Sequence, residues 1–220
     1  MTLVPRRIDQ NVFECKASEW CLYGYEEIIS MWIDTLLENF EPANNIEYKG
    51  KRFLTHVPWV APKAYLNIIF PPAKSEVQNK LIDPLQLPRE VRSFYRQCNG
   101  ASLFSGSIHI LGFVSRDSLI DRSNWKGLPP HDLIGVNEEF FDDIYCNANA
   151  IVGSYAPDAS RVVVQKTNGE VYCSIGSDLS GVRATWGSFE SWIESEVKRV
   201  SQFFDRRGRR LVDDDLLLPG

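Results

Sequence analysis

Residues able to do acid–base, nucleophilic or metal chemistry are few here and widely spaced. The chain of 220 residues holds three histidines, His56, His109 and His131, and five cysteines, Cys15, Cys21, Cys98, Cys146 and Cys173. None of the cysteines stands in a C-x2-C pair, so their spacing gives no zinc site. In a reducing compartment such thiols behave as small, mostly buried hydrophobes. A Cys–His nucleophile would have to be assembled from distant positions. G-x-S-x-G, H-E-x-x-H, G-x-G-x-x-G and the P-loop are all absent. The expectation is a protein without catalytic residues, metal or cofactor.

Residues suited to recognition are easier to find. The stretch 114–150 is long and polar, and reads as an irregular loop, which in a compact domain is often functional. It contains Trp125, the aromatic best placed for exposure, and the acidic group Glu138, Glu139, Asp142 and Asp143. Such a group is commonly a solvated surface. Its functional alternative is a contact for a basic protein face, where complementary charge speeds encounter and selects partners. These five residues are the candidate partner-binding set.

Several elements must position them. Apolar residues from Ile28 to Phe40 recur at helical spacing, predicting a helix over 25–41 that Pro42 stops. Tyr65 to Phe70 reads as a short strand, and Lys49, Lys51 and Arg52 as a solvated turn. Ser75 can cap a short helix ending before Pro84. A second follows Leu87-Pro88, with Val91, Phe94, Tyr95 and Cys98 on its buried face and Asn99-Gly100 as its stop. Gly106 to Phe113, with His109 between Ile108 and Ile110, alternates like a strand. Arg161–Lys166 and Glu170–Ile175 flank Thr167-Asn168-Gly169, which predicts a hairpin with a type I′ turn. Ser188 caps a last helix bearing Phe189, Trp192, Ile193, Val197 and Val200. The tail 205–220 carries opposite charge blocks. Strands in the middle with helices at the ends indicate an α+β fold rather than an alternating one.

Composition narrows the classes. Hydrophobic residues make up 44% and charged residues 24%, as in globular proteins. No apolar run reaches the ~18 residues that span a bilayer, and no secretory signal opens the chain. These features predict a cytoplasmic protein without membrane contact. A net charge of −5 does not favour nucleic acid as partner.

One ordered series of segments resembles the SMI1/KNR4 family, or SUKH superfamily. Phe70-Pro-Pro-Ala-Lys-Ser-Glu-Val precedes Leu87-Pro-Arg-Glu-Val-Arg-Ser-Phe-Tyr-Arg-Gln-Cys-Asn-Gly100 and a strand ending Ile110-Leu-Gly-Phe113. Leu87, Pro88, Val91, Phe94, Asn99 and Gly100 occupy the family's LP…NG positions. Ile151-Val-Gly, the hairpin 161–175 and the closing Ser188-Phe-x-x-Trp-Ile helix follow in the family's order. The likeness spans 65–198, with 1–64 as an N-terminal extension of a single domain. The chain departs from the pattern at Asn79-Lys80-Leu81-Ile82, where family members usually carry acidic residues. The resemblance implies a single α+β domain, with a curved, mainly antiparallel sheet packed by helices. It also implies a non-catalytic role. Bacterial members are commonly immunity proteins that bind and neutralise a cognate toxin, and fungal members regulate cell-wall synthesis and signalling through protein contacts. A small cytosolic enzyme built on His109 or His131 and a cysteine is the remaining alternative.

Overall fold

Short runs of alternating or β-branched residues, joined by tight turns or by longer segments that carry helices, let each described strand pair with the one before it. The computed structural model describes residues 32–114, 125–179 and 181–220. Among the described residues nine strands form one antiparallel sheet whose spatial order is the chain order. They are β1 (Ile46–Tyr48), β2 (Lys51–His56), β3 (Tyr65–Ile69), β4 (Ala101–Leu103), β5 (Ile108–Ile110), β6 (Asn149–Tyr155), β7 (Arg161–Gln165), β8 (Val171–Ser174) and β9 (Val182–Trp186). Five helical segments longer than a 3-10 turn accompany it among the described residues. They are α1 (described over 32–39), α2 (Ser75–Val77, running into a π turn over Gln78–Ile82), α3 (Arg89–Gln97), α4 (Leu133–Phe140) and α5 (Phe189–Ser201). The fold is α+β. β1 and β2, which come from the stretch 1–64, belong to the same sheet as the rest.

Residues opposed across a ladder share one face of the sheet. Ala101, Ile110, Gly153 and Val162 form one such row, and Leu103, Ile108 and Tyr155 continue that face. α5 lies on it. A Cβ on Gly153 would stand 2.7 Å from the Trp192 ring, so glycine sets how closely helix and sheet approach. α5 begins with a capping box in which Ser188 and Ser191 satisfy each other's backbone N–H groups. α3 packs beside it, with the Phe94 and Phe189 rings 5.1 Å apart.

A buried polar chain runs out from this core. Trp192 Nε1 donates to Tyr155 Oη at 3.0 Å, and Tyr155 donates to Glu196 Oε2 at 2.7 Å. Arg199 grips the same carboxylate through Nε at 2.9 Å and Nη2 at 2.7 Å. Its Nη1 and Nη2 also donate to the carbonyls of Leu216 and Leu217. The charged tail therefore folds back, with Leu217 fully buried and Leu216 exposed.

Several local expectations change. Residues 114–150 are not all irregular: α4 lies among them, its first turn capped by Asp132, whose side chain accepts from Ile134 N–H. Lys51 is not in a solvated turn. It opens β2, is buried, and donates to the carbonyls of Lys126 and Leu128, since a buried ammonium needs acceptors. Ser75 gives α2 no side-chain cap; Lys74 is the N-cap residue. α3 ends in an extended Cys98, and Gly100 (φ +89°) leads into β4 instead. There a Cβ would meet the Ile110 carbonyl oxygen at 2.5 Å. In the β7–β8 hairpin Gly169 alone has positive φ, and the Asn168 carboxamide accepts from Glu170 N–H, so the turn is not type I′. Trp192 is in the core as predicted, and Trp186 packs partly buried against it.

Candidate interaction surface

α4 is seated by two buried side chains, Leu133 and Asn137, and the second bonds it to the sheet. Asn137 donates to the carbonyls of Leu133 and Ile151, each at 2.8 Å, and accepts from Ile151 N–H at 2.8 Å. Ile151 lies on the part of β6 that extends past the end of β5, so the carboxamide occupies a strand edge that would otherwise lack partners. With Leu133 and Asn137 turned inward one helical turn apart, Glu138 and Glu139 are left on the solvent side. Asp142 follows the helix and is exposed.

Asp143 does different work. Its Oδ1 accepts from the N–H groups of Tyr145 (2.9 Å) and Cys146 (3.2 Å). These bonds hold its pKa below the usual carboxylate range and build the turn that follows α4. Lys166 reaches across to the Ile144 carbonyl at 2.6 Å and fastens that turn to β7. All four carboxylates named from the sequence are exposed, but Asp143 is committed to backbone N–H groups, and among the described residues Glu138, Glu139 and Asp142 make no ion pair. Trp125 opens a 3-10 turn, Trp125–Gly127. Its side chain lies outside the described residues.

The face of the sheet beneath α4 is polar. Ser102, His109, Ser154 and Arg161 follow one another across β4 to β7. The Arg161 guanidinium sits 5.4 Å from the Phe140 ring of α4. The His109 ring lies 4.0 Å from that of His131, which stands just before α4. Burial first, and His131 second, push the His109 pKa down to about 4. His131 is lowered by burial and by Arg161. Both rings are therefore neutral at pH 7, and His109 Nδ1 is buried without a hydrogen-bond partner. No sequence signal places these histidines together; the backbone bond from Gly112 N–H, just past β5, to the His131 carbonyl does.

A cysteine nucleophile finds no support at this pair. Burial pushes the thiols of Cys98 and Cys173 up to about 12. Cys146 is exposed, and its hydrogen bond with Asp143 also raises its pKa. Cys15 and Cys21 lie outside the described residues. Among the described residues no group of three or more His, Cys, Asp or Glu side chains is placed to hold a metal ion, and no helix is long and apolar enough to cross a membrane.

Two concave regions lie elsewhere. One, of about 350 Å³, sits between Phe70, Pro71 and the 126–130 segment that Lys51 anchors. The other, of about 780 Å³, is formed by the β2–β3, β4–β5 and β6–β7 turns and the C-terminal hairpin, with Arg209 stacked 4.9 Å from Trp59. Neither was legible in the sequence, because each joins segments far apart in the chain.

The comparisons with known proteins agree with this architecture. The family model described as SMI1 / KNR4 family (SUKH-1) matches residues 75–205, more than half of the chain. No curated protein matches the chain.

Proposed function

Since the chain belongs to the SMI1/KNR4 family (SUKH-1), we propose that it acts by binding another protein, as an immunity protein that neutralises a cognate toxin. The observation that carries this reading beyond the family is the acidic end of α4. Glu138, Glu139 and Asp142 are exposed on an element whose position is fixed by Asn137. A rigid acidic surface suits a basic partner face: it raises the encounter rate, and its contribution falls with salt. Neutralisation then needs only that the bound protein cover the toxin's active site or substrate path. No group on this chain has to take part in chemistry.

The test is to tag the protein in its native host, purify it at moderate salt, and identify what is bound near one to one. A single polypeptide carrying a domain that is toxic alone and harmless with this protein is the expected outcome. Replacing Glu138, Glu139 and Asp142 together by lysine should then weaken that complex strongly at low salt and leave the fold intact. Unchanged affinity would remove α4 from the interface. A cell-wall or signalling protein as the bound partner would replace the immunity reading with a regulatory scaffold.

A further inference from the structure

The larger of the two concave regions, of about 780 Å³, combines an apolar floor with a cation that has no partner. Two stacked rings, Phe104 and Phe204, lie in its floor with centroids 5.5 Å apart. Phe104, Ser105 and Gly106 are all left-handed, at φ 55°, 57° and 88°. For the two non-glycine residues that backbone is costly, and it persists only where the surroundings impose it. Here Phe104 N–H donates to Asn67 Oδ1 at 3.0 Å, and Ser105 N–H to the Leu66 carbonyl at 2.7 Å. The C-terminal hairpin supplies another wall. Asp205 Oδ1 accepts from Arg207 N–H at 2.9 Å and from Arg209 N–H at 2.8 Å. Asp205 N–H in turn donates to the Arg209 carbonyl at 2.9 Å, so the backbone of Arg209 is fixed in advance of any ligand.

The hairpin's arginines differ in what they meet. Arg207 lies 3.9 Å from Glu41, and Arg210 pairs with Asp214. The Arg209 guanidinium stands 4.9 Å from the Trp59 ring, and among the described residues it has neither a carboxylate nor a hydrogen-bond acceptor. A guanidinium held against an aromatic ring keeps its N–H edge for a planar acceptor. Apolar surface borders this cation, since Trp59 is 43% and Val60 57% exposed.

We infer that this cavity binds an acidic segment of another protein, with an Asp or Glu carboxylate on Arg209 and a neighbouring apolar side chain over Trp59 and Val60. Charge complementarity selects this occupant. Arg209, Arg210 and Asp214 leave the lining one net positive charge, which one carboxylate matches. A nucleic acid strand would bring a phosphate with every nucleotide against Asp214 and its neighbours Asp213 and Asp215. A mostly apolar cavity with a few fixed polar groups is the usual form of such a site. No residue of α4 lines it, so the inference is independent of the toxin-binding reading.

Random heptapeptides displayed on phage and selected on the full-length protein are the probe. The recovered sequences should place Asp or Glu beside an aliphatic or aromatic residue. A synthetic copy of the tightest should lose affinity by roughly tenfold with Arg209→Gln, and by a similar factor when its own carboxylate is replaced by a carboxamide. Both changes together should cost little more than either alone, because they remove one contact. Trp59→Ala should weaken the same peptide separately. Trp59 and Arg209 are both exposed, so unchanged thermal unfolding of each variant would assign the losses to the cavity and not to the fold. Recovery of no binder, of peptides without a carboxylate, or of peptides held equally well by Arg209→Gln would overturn the inference. So would an oligothymidylate that binds through Arg209 more tightly than the peptides, or self-association of the protein that Arg209→Gln abolishes. Toxin capture by the Arg209→Gln protein should be unchanged, which keeps the two readings apart.

Discussion

The two faces of the sheet are polar in opposite ways. Under α5 the polar groups form a completed network: Trp192, Tyr155, Glu196 and Arg199 satisfy one another, and Arg199 ends on backbone carbonyls of the C-terminal turn. Under α4 the row is incomplete. His109 Nδ1 and Arg161 Nε are buried without partners, and two neutral imidazoles touch. A completed network in a low-dielectric interior rigidifies what it joins, whereas an incomplete one costs stability when its protonation changes. The first face therefore carries the stability of the fold. The second makes the seat of α4 sensitive to acid.

The largest test of this contrast is removal of the keystone on the α5 side. Trp192→Ala should cost about 3–5 kcal/mol in denaturant unfolding, through lost burial and a cavity against Gly153. Arg199→Ala comes next. It leaves the Glu196 carboxylate, 4% exposed, without its cation and should cost about 3 kcal/mol. It should also release the C-terminal turn, read as faster amide exchange near Leu217. Restoration of stability by the added change Glu196→Gln would show the cost to be the stranded charge.

On the α4 side the probe is pH. In the unfolded chain His109 takes up a proton near pH 6.5; in the folded one it does so only near pH 4. Between those values the unfolded state binds more protons, so stability falls as the pH drops through that window, by up to about 3 kcal/mol, and levels off below it. His131, also lowered, adds in the same direction. His109→Gln should flatten the profile of unfolding free energy between pH 6.5 and 4, and an unchanged slope would break the comparison. The smallest effect belongs to the surface itself. Lysine at Glu138, Glu139 and Asp142 should change stability by no more than about 0.5 kcal/mol, because cations near the C-terminal end of a helix suit its dipole.

Periodicity in the sequence is strongest where one face of an element is buried. Val91, Phe94, Tyr95 and Cys98 are all buried, as their spacing predicts, and so are Trp32, Ile33, Leu36 and Phe40 in the described part of α1. Leu37, placed on the same stripe, is exposed. The part of that helix expected over 25–31 lies outside the described residues. α4 buries only Leu133 and Asn137 and has Gly135 between them, too little for a periodic signal in the sequence. In sequence, Asn99 forms part of a helix stop. It clamps both backbone groups of Phe113, through bonds of 2.7 and 2.8 Å, and no local pattern announces a contact 14 residues away. The acidic group was legible as composition. That one member, Asp143, is committed to backbone N–H groups was not, because it depends on the path of the chain after α4.

The consecutive order of the strands has a consequence for synthesis. Each strand pairs with the one made before it, so the sheet grows in the direction of translation, waiting only for the helix-bearing segments that precede β4 and β6. The C-terminal hairpin is the exception. A Cβ on Gly208 would stand 3.0 Å from the Val57 and Leu66 side chains, and the Glu41 N–H donates to the Arg206 carbonyl. A segment made after the whole sheet thus fastens its first hairpins. A nascent or prematurely ended chain would hold most of its sheet yet lack this clasp, leaving its earliest strands the easiest for a protease to open.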